Sequence, residues 1–343
     1  MDPLLLLAQL ILLALGANAV AVSQPGLFAD HLFRVGLALL ATLLASRLSL
    51  TWLVRHARGL YLLGLALLLA TLFAGVEINH ARRWLAIGGF PLQTSEVAKL
   101  LLVFYLARFF AVHGPDYPVF GPVSAIAFAV ALVALEPDFA GAVYLLLLAL
   151  FVLLAIGVPM RRLLAIGAAT VLMATALQGL YLSRFRHVLA RFRAYLTGGD
   201  LAYQIERARQ AILEGGLFGQ GPGAAMPYVP YAYNDMSLAA VAFAMGLLGV
   251  AVLFLAYTVV FVRGMQIAAH LEGALSVVAI GLTGMIGLQA VLHIGVVLGL
   301  LPATGLPLPL VSYGGSAMLT TGVAFGLLHA AARQAFAEPQ EAT

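Results

Sequence analysis

The sequence predicts an all-α integral membrane protein with about ten transmembrane helices. Of its 343 residues, 63% are hydrophobic and 9% are charged, which is a composition typical of membrane proteins. Apolar runs recur along the chain, and each is long enough to cross about 30 Å of hydrocarbon as a helix. We therefore expect a single polytopic membrane domain over residues 1–343.

The apolar runs define the predicted spans. They cover residues 3–22, 32–53, 59–76, 96–112, 119–136, 138–157, 163–181, 237–262, 273–298 and 312–332. The first run has the length of a signal peptide, but it lacks a basic segment and is followed by only a weak cleavage site, so we interpret it as a span. The sequence has no cysteine, which excludes disulfides and thiolate ligands or nucleophiles.

The positions of the arginines predict the orientation. With ten spans both termini lie on one side of the membrane, and most of the short loops on that side are basic. These loops and the tail contain Arg55, Arg58, Arg161, Arg162, Arg263 and Arg333. The positive-inside rule makes that side cytoplasmic. The stretch 82–99 then lies outside, although its two arginines are an exception to that rule.

The longest interval between spans is residues 182–236, which we predict to be a large extracytoplasmic loop between spans seven and eight. Long loops are translocated largely regardless of their charge, so the arginines in it do not overturn the orientation. Leu201, Ile205 and Ile212 recur at helical spacing and predict an amphipathic helix near 200–214. Such a helix either lies at the outer membrane interface or is a packed, solvated helix without a ligand.

The stretch "RRWLAIGGFPLQTSEVAK" gathers four charges between two apolar runs. Trp84 is expected at the level of the lipid headgroups. Gly88-Gly89 is expected to form a turn, with Thr94 or Ser95 as N-cap of the next helix. Glu96 and Lys99, three residues apart on the first turn of that helix, are expected to form an ion pair at the hydrocarbon edge.

Asp235 is the only acidic residue between Glu214 and Glu272, and it lies where the large loop meets the eighth span. It is either an N-cap or a functional carboxylate. A helix N-terminus lowers the pKa of a nearby carboxyl, which favours a cap or a metal ligand over a strong base. The residues alone leave both interpretations open.

Two further segments contain residues of interest. "EPD" at 136–138 places two acids around a proline between spans, where they are expected to cap and end helices, and they also have the chemistry to bind a metal or orient arginines. Gln289 and His293 lie one turn apart within the ninth span, where an interhelical hydrogen bond is expected.

Five stretches together carry a family resemblance. They are "RRWLAIGGFPLQTSEVAKL" at 82–100, "EPDFAGA" at 136–142, "YQIERARQAILEGGLFGQGPG" at 203–223, "NDM" at 234–236 and "TGLPLPLVSYGGSAML" at 304–319. In this order they resemble the SEDS family (shape, elongation, division and sporulation). The resemblance runs from the second span to the tenth.

The resemblance implies a ten-span bacterial glycosyltransferase that polymerises lipid II into glycan strands together with a class B penicillin-binding protein, the crosslinking transpeptidase. The family's essential acid, late in the large outer loop, corresponds to Asp235. The resemblance and the basic outer face together imply substrate contacts from Arg83, Trp84, Arg207, Arg209, Ser312 and Tyr313. Glu96 and Lys99 would be a supporting ion pair, and a divalent metal, Mg²⁺ or Mn²⁺, is expected as cofactor.

The implied location is the bacterial inner membrane, with both termini cytoplasmic and the active site on the extracytoplasmic side. The implied partners are lipid II, the bilayer and the transpeptidase, and no nucleic acid. One alternative is a lipid II flippase, although transporters usually place polar groups near the midplane rather than at one face. The other is a non-catalytic membrane scaffold for the penicillin-binding protein.

Overall fold

The computed structural model describes residues 1–78, 81–117, 120–136, 138–178, 200–302 and 304–337. The predicted helical fold is confirmed. The helices are α1 (Pro3–Ser23), α2 (Phe28–Ala45), α3 (Leu50–Arg55), α4 (Ala57–Ala74), α5 (Thr94–His113), α6 (Phe120–Leu135), α7 (Phe139–Ala155), α8 (Met160–Gln178), α9 (Asp200–Gly215), α10 (Ser237–Ala269), α11 (Gly273–Val297) and α12 (Gly315–Ala335).

Six helices in the described part of the chain are long and apolar enough to cross a membrane, namely α1, α2, α4, α10, α11 and α12. Helices α6 and α7 are apolar but shorter, with 16 and 17 residues. The count of ten spans therefore stays a prediction. Residues 179–199, which include the first part of the predicted large loop, lie outside the described residues.

The second predicted span, 32–53, is wrong in its bounds. Helix α2 begins at Phe28 and ends at Ala45, and α3 is a separate short helix. The reason is local, because the hydroxyl of Ser49 accepts a hydrogen bond from the backbone N–H of Trp52 and so starts a new helix. An apolar run thus concealed a helix boundary.

A three-stranded antiparallel sheet departs from the all-α prediction. Its strands are β1 (Val76–Ile78), β2 (Ala81–Ile87) and β3 (Phe90–Gln93), in the order β1-β2-β3. The expected Gly88-Gly89 turn joins β2 to β3, and both glycines have positive φ (58° and 82°), as a two-residue hairpin turn requires. Strand β3 leads directly into α5, so the sheet lies where that helix begins.

Helix α10 is 33 residues long and is broken at Gly246 (φ 66°, ψ −166°), a conformation that glycine adopts readily. Helix α9 packs against the first part of α10 through Ala208 and Ala211, which are fully buried. A side chain at Gly215 would collide with the backbone of Ala242. The predicted helix near 200–214 is therefore part of the packed structure.

Close helix packing places the remaining elements around the site. A Cβ at Gly322 of α12 would lie 2.5 Å from the carbonyl oxygen of Ala38 in α2, so glycine is what lets these two helices touch. Helices α5, α7, α10 and α12 all begin at one end of the bundle, and we call this end the site end.

Candidate active site

A cavity of about 220 Å³ lies at the site end. Its walls come from the β2–β3 hairpin, the first turns of α5, α7 and α12, and the loop segments before α10 and α12. The lining residues are Arg83, Trp84, Gln93, Ser95, Glu96, Lys99, Asp138, Gly141, Asn234, Gly305, Leu306, Pro307, Gly314, Gly315, Ser316 and Ala317. Four sequence-predicted site residues, Arg83, Trp84, Glu96 and Lys99, therefore share one cavity.

Arg83 reaches the cavity from strand β2. Its Nη1 lies 3.5 Å from Oδ1 of Asp138, and the side chain of Arg83 is 23% exposed. Asp138 also caps α7, because its Oδ1 accepts a hydrogen bond from the N–H of Gly141 at 3.0 Å. Oδ2 of Asp138 accepts from Nε2 of Gln93 at 3.1 Å and from the hydroxyl of Ser95 at 3.4 Å. Asp138 thus orients the arginine while it begins a helix.

The expected ion pair between Glu96 and Lys99 is present, with Nζ 2.6 Å from Oε1, and both side chains are buried. Glu96 Oε2 accepts a hydrogen bond from the hydroxyl of Thr320 in α12 at 3.1 Å. Nζ of Lys99 lies 4.6 Å from the centre of the Tyr144 ring in α7 and 3.4 Å from Oε1 of Gln289 in α11. The pair therefore joins four helices beneath the cavity.

The expected N-cap of α5 is wrong. The helix begins at Thr94, and the residue before it is Gln93. The hydroxyl of Thr94 instead lies 2.8 Å from that of Thr71 in α4. The side chain of Gln93 reaches Asp138, as described above. The side chains of Thr94 and Gln93 therefore contact other segments and do not cap α5.

Asp235 is half-buried and lies next to the cavity, although it is not itself one of the lining residues. Its neighbour Asn234 lines the cavity, and a Cβ at Gly305 would be 3.8 Å from Oδ2 of Asp235. Helix α10 starts at Ser237 with Met236 as its N-cap. Asp235 is therefore not the N-cap, and its functional role stays a prediction.

The backbone around Asp235 is fixed by a strained turn. Tyr231 has a positive φ of 57°, which is unfavourable for a residue with a large side chain. Its carbonyl accepts hydrogen bonds from the N–H groups of Asn234 (2.9 Å) and Met236 (3.2 Å). Asp235 is thus presented by a loop with a defined conformation.

Ser312 holds the same loop from below rather than lining the cavity. It is buried, and its hydroxyl donates to the carbonyl of Asn234 at 2.7 Å. It also accepts from the N–H of Leu308 (2.8 Å) and lies 2.7 Å from the hydroxyl of Ser237. His293 contacts Ser237 at 3.3 Å and the carbonyl of Leu306 at 2.8 Å, which agrees with the expected interhelical hydrogen bond.

Tyr313 connects this loop to α2. Its N–H donates to the carbonyl of Tyr233 (2.8 Å), and its hydroxyl donates to Oδ2 of Asp30 (2.6 Å). Burial and that hydrogen bond raise the pKa of Tyr313, so it keeps its proton. Arg34 lies over the ring at 4.4 Å and contacts Asp30 at 2.5 Å.

Sequence reasoning missed Arg34 and Asp30. The available signal was an acid and a base four residues apart at the edge of a predicted span, where charges are costly and usually have a role. A Cβ at Gly315, which lines the cavity, would collide with the guanidinium of Arg34. Arg34 therefore lies directly behind the cavity wall.

The N-terminus of α12 also faces the cavity. Its N-cap is Gly314, which has no side chain to cap the helix, and Gly315, Ser316 and Ala317 all line the cavity. The first N–H groups of a helix lack intrahelical partners and carry a partial positive charge. This wall is therefore suited to an anion.

Arg207 and Arg209 do not line the cavity. Nε of Arg207 donates to the carbonyl of Tyr228 (3.0 Å), and Nη1 donates to Oε1 of Gln210 (2.8 Å). Arg209 is exposed on α9. Their predicted role in binding the diphosphate stays a prediction, which this geometry does not support as a direct contact inside the cavity.

A divalent cation has limited protein ligands here. Among the described residues, no group of three His, Cys, Asp or Glu side chains is arranged to hold a metal ion. Asp138 and Glu96 are each engaged with a cation, as described above. Asp235 next to the cavity fits the single carboxylate that Mg²⁺ commonly takes together with substrate phosphates.

The fold and the site define a polytopic membrane protein with a charged cavity at one end of its helical bundle. The model of a family described as cell cycle protein, comprising FtsW, RodA and SpoVE, matches residues 5–336. The chain therefore belongs to the FtsW/RodA/SpoVE family, which is the SEDS family that its motifs resemble.

Curated relatives and solved structures agree with this assignment. The chain is 35% identical to a probable peptidoglycan glycosyltransferase FtsW of Alkalilimnicola ehrlichii, over 94% of this chain and 86% of the relative. It is 37% identical to that of Thioalkalivibrio sulfidiphilus, over 94% and 87%. RodA of Thermus thermophilus superposes with a TM-score of 0.74 at 29% identity, covering 98% of both chains.

A further solved structure superposes with a TM-score of 0.80 at 28% identity, covering 98% of this chain and 99% of the other. It is described as the structural coordination of polymerization and crosslinking by a peptidoglycan synthase complex.

Proposed function

We propose that this protein is a peptidoglycan glycosyltransferase that polymerises lipid II into glycan strands at the outer face of the bacterial inner membrane. The observation that carries the proposal is one half-buried carboxylate, Asp235, next to a cavity that Arg83 and Lys99 line. The names of the curated relatives support the same activity.

The cavity has the chemistry to bind a diphosphate. Arg83 lines it and presents a guanidinium, which matches phosphate oxygens in a bidentate geometry. The N-terminus of α12 lies in the same cavity and offers backbone N–H groups to an anion. A lipid-linked diphosphate, with undecaprenol as the lipid, is therefore the proposed donor, and Trp84 offers a ring to its sugars.

The proposed reaction inverts the donor's anomeric carbon. The 4-hydroxyl of an acceptor sugar attacks that carbon, a new C–O bond forms, and the bond to the diphosphate breaks with its electron pair leaving on the phosphate oxygen. Asp235 takes the proton of the attacking hydroxyl. A positioned general base contributes about 10²–10⁴-fold to such a rate.

A divalent ion, Mg²⁺ or Mn²⁺, would neutralise charge on the leaving diphosphate. As the alternative to its role as general base, Asp235 is the described residue that would hold this ion together with the phosphate oxygens. The steps above depend only on the chain's own residues, and the ion adds charge stabilisation when it is bound.

The loop arginines support an orientation in which both termini are cytoplasmic and the site end is extracytoplasmic. A polyprenyl tail then stays in hydrocarbon while its sugars reach water. A class B penicillin-binding protein is the proposed partner, because the similar synthase complex couples polymerization to crosslinking.

Reconstitution with labelled lipid II tests the proposal. The purified chain and its transpeptidase partner in proteoliposomes should form polymer, and the folded Asp235→Ala variant should not. Asp116→Ala is the matched control, because Asp116 is an exposed acid whose contact is Arg162 at 3.8 Å, and it should retain activity.

Two outcomes would contradict the proposal. Movement of lipid II across the bilayer without polymer would identify a flippase. Polymer formation that is unchanged in a well-folded Asp235→Ala variant would remove Asp235 from the mechanism.

A further inference from the structure

The corner between α9 and α10 exposes large apolar side chains in a segment that the sequence places outside the membrane. Leu213 is 71% exposed, Leu217 is 50% exposed and Phe218 is 75% exposed. Exposed side chains of this kind, clustered over six residues, indicate an interaction surface. We call Leu213, Leu217 and Phe218 the apolar corner; Glu214, in the same segment, is also exposed.

Backbone hydrogen bonds fix the apolar corner to α10. The N–H of Leu247 donates to the carbonyl of Gly216 (2.9 Å), and the N–H of Leu248 donates to the carbonyl of Leu217 (3.2 Å). These N–H groups are free for the corner because the break at Gly246 interrupts the helical hydrogen bonds. The corner therefore lies at the same height along the bundle as Leu247 and Leu248.

Counted from the other end of α10, that height falls within the thickness of a bilayer's hydrocarbon core. The other end of α10 is marked by Arg263, whose Nη2 lies 2.8 Å from Oδ2 of Asp2. Leu247 and Arg263 are 16 positions apart in the numbering (263 − 247). At about 1.5 Å per residue they are separated by about 24 Å, which is less than the roughly 30 Å of a bilayer's hydrocarbon core.

The apolar corner also continues the lipid-facing surface of α10. Leu248, Val252 and Leu255 are exposed at helical spacing along that helix. Leu217 pairs with Leu248 through the backbone, as described above, so the corner extends this stripe toward the site end. A surface that is continuous with the lipid-facing side of a spanning helix meets the same lipid.

The surrounding sequence agrees with a membrane boundary at this point. Between Glu214 and Asp235 the chain has no charged residue. Tyr228 and Tyr231 in that stretch are exposed, as is typical of aromatic residues at headgroup level. Along α9 the exposed residues include Glu206 and Gln210 in the earlier turns and Leu213 with Glu214 in the last turn, so aliphatic exposure along these turns begins at residue 213.

We propose that the apolar corner is inserted among the acyl chains of the leaflet on the site-end side, where it anchors the loop that presents Asp235 at a fixed depth. The occupant of this surface is lipid. The proposal concerns the placement of the chain in the bilayer and does not depend on the proposed function.

Site-directed spin labelling tests the insertion directly. The chain has no cysteine, so a single introduced cysteine reports one position. Phe218→Cys is the test position and Leu217→Cys is a second one if the first variant does not fold. Leu255→Cys is the lipid-exposed control and Glu206→Cys the water-exposed control, because both native side chains are exposed.

Collision rates of the label with oxygen and with a water-soluble nickel complex would be measured on the isolated chain in proteoliposomes. The ratio of oxygen to nickel collisions at residue 218 should exceed that at residue 206 several-fold and approach that at residue 255, which lies nearer the middle of the bilayer. A ratio like that at residue 206 would overturn the proposal. Protection from both reagents would also overturn it, because protein would then cover the corner.

Discussion

The two ends of the helical bundle use the same kind of buried charge for different purposes. At the end opposite the site, Asp2 caps α1 by accepting from the N–H of Leu5. Its Oδ2 also accepts from Nε and Nη2 of Arg263 at 2.9 and 2.8 Å. The backbone N–H of Asp2 donates to Nδ1 of His329 at 3.1 Å, and Arg263 lies over the Phe336 ring at 4.5 Å. These contacts tie both terminal helices to α10.

At the site end the ion pairs surround a cavity instead. The pair of Arg83 and Asp138 is longer, at 3.5 Å, and its arginine faces the cavity. The tight pair of Glu96 and Lys99 supports the cavity from below. The comparison teaches that a buried ion pair alone does not mark a site, because these two pairs at the site end, unlike Asp2 and Arg263, line the cavity that a helix N-terminus also faces.

The largest effect on polymerisation among the paired charges is expected for Lys99→Met. It leaves the Glu96 carboxylate buried without its cation, which costs about 3–5 kcal/mol of stability. The double variant Lys99→Met/Glu96→Gln should regain most of that stability and still lose activity, because the cavity has lost one of the two cations that line it. Thermal unfolding and lipid II polymerisation measure the two effects, and an active double variant would show that the pair is only structural.

A smaller effect is expected for Asp138→Asn. Asparagine retains the cap of α7, but it removes the charge that orients Arg83. We expect a loss of about tenfold in kcat/KM, which corresponds to about 1.4 kcal/mol, with little change in stability. Asp116→Asn serves as the control, and equal activities of the two variants would exclude a role for the Arg83 contact.

At the opposite end, Arg263→Met should reduce stability and leave activity unchanged. Asp2 then loses two hydrogen bonds from a charged donor. Each hydrogen bond to an ionised acceptor contributes about 1.5–3 kcal/mol to stability. The loss here should be smaller, because the arginine is partly exposed and water screens the interaction. The melting temperature should fall, while polymer formed per folded molecule should stay at the wild-type level. A parallel loss of activity would mean that the two ends are coupled.

A change in stability that depends on pH is expected for Glu136→Gln. Burial, with the neighbouring Asp138 as a second cause, raises the pKa of Glu136 from 4.5 to about 9. The neutral Glu136 carboxyl therefore makes its full contribution to the free energy of unfolding below pH 4.5, and this contribution is lost as the pH rises toward 9.

The glutamine variant is neutral at every pH and escapes this loss, which can reach about 1.4 kcal/mol per pH unit. Its melting temperature relative to the wild type should therefore rise between pH 5 and pH 8. A difference that stays constant over this range would show that Glu136 does not titrate as the structure indicates.

Local chemistry made part of the site predictable from the sequence. The ion pair of Glu96 and Lys99 follows from a three-residue spacing on one helix, and the turn at Gly88-Gly89 follows from its composition. The position of Asp235 as the lone acid before a span also marked it out, although the family resemblance was needed to favour a catalytic role over a cap.

The rest depended on contacts between distant segments. Asp138 meets Arg83 across 55 positions (138 − 83), and no periodicity reports such a pairing. The strands around Gly88-Gly89 were missed because a flanking Trp-Leu-Ala-Ile run reads equally as membrane-edge sequence. Ser312 was expected at the substrate, but the structure uses its hydroxyl to hold the Asn234 carbonyl, a role that only the folded chain reveals.

The central claim is that Asp235 acts on the reacting hydroxyl and not on substrate binding. The most direct test measures both lipid II affinity and turnover for Asp235→Asn, which preserves the shape of the side chain and removes its basicity. The account predicts that kcat falls by about 10²–10⁴-fold while lipid II affinity stays within a few-fold of the wild type. Turnover at the wild-type level, or a loss of affinity that accounts for the whole effect, would contradict it.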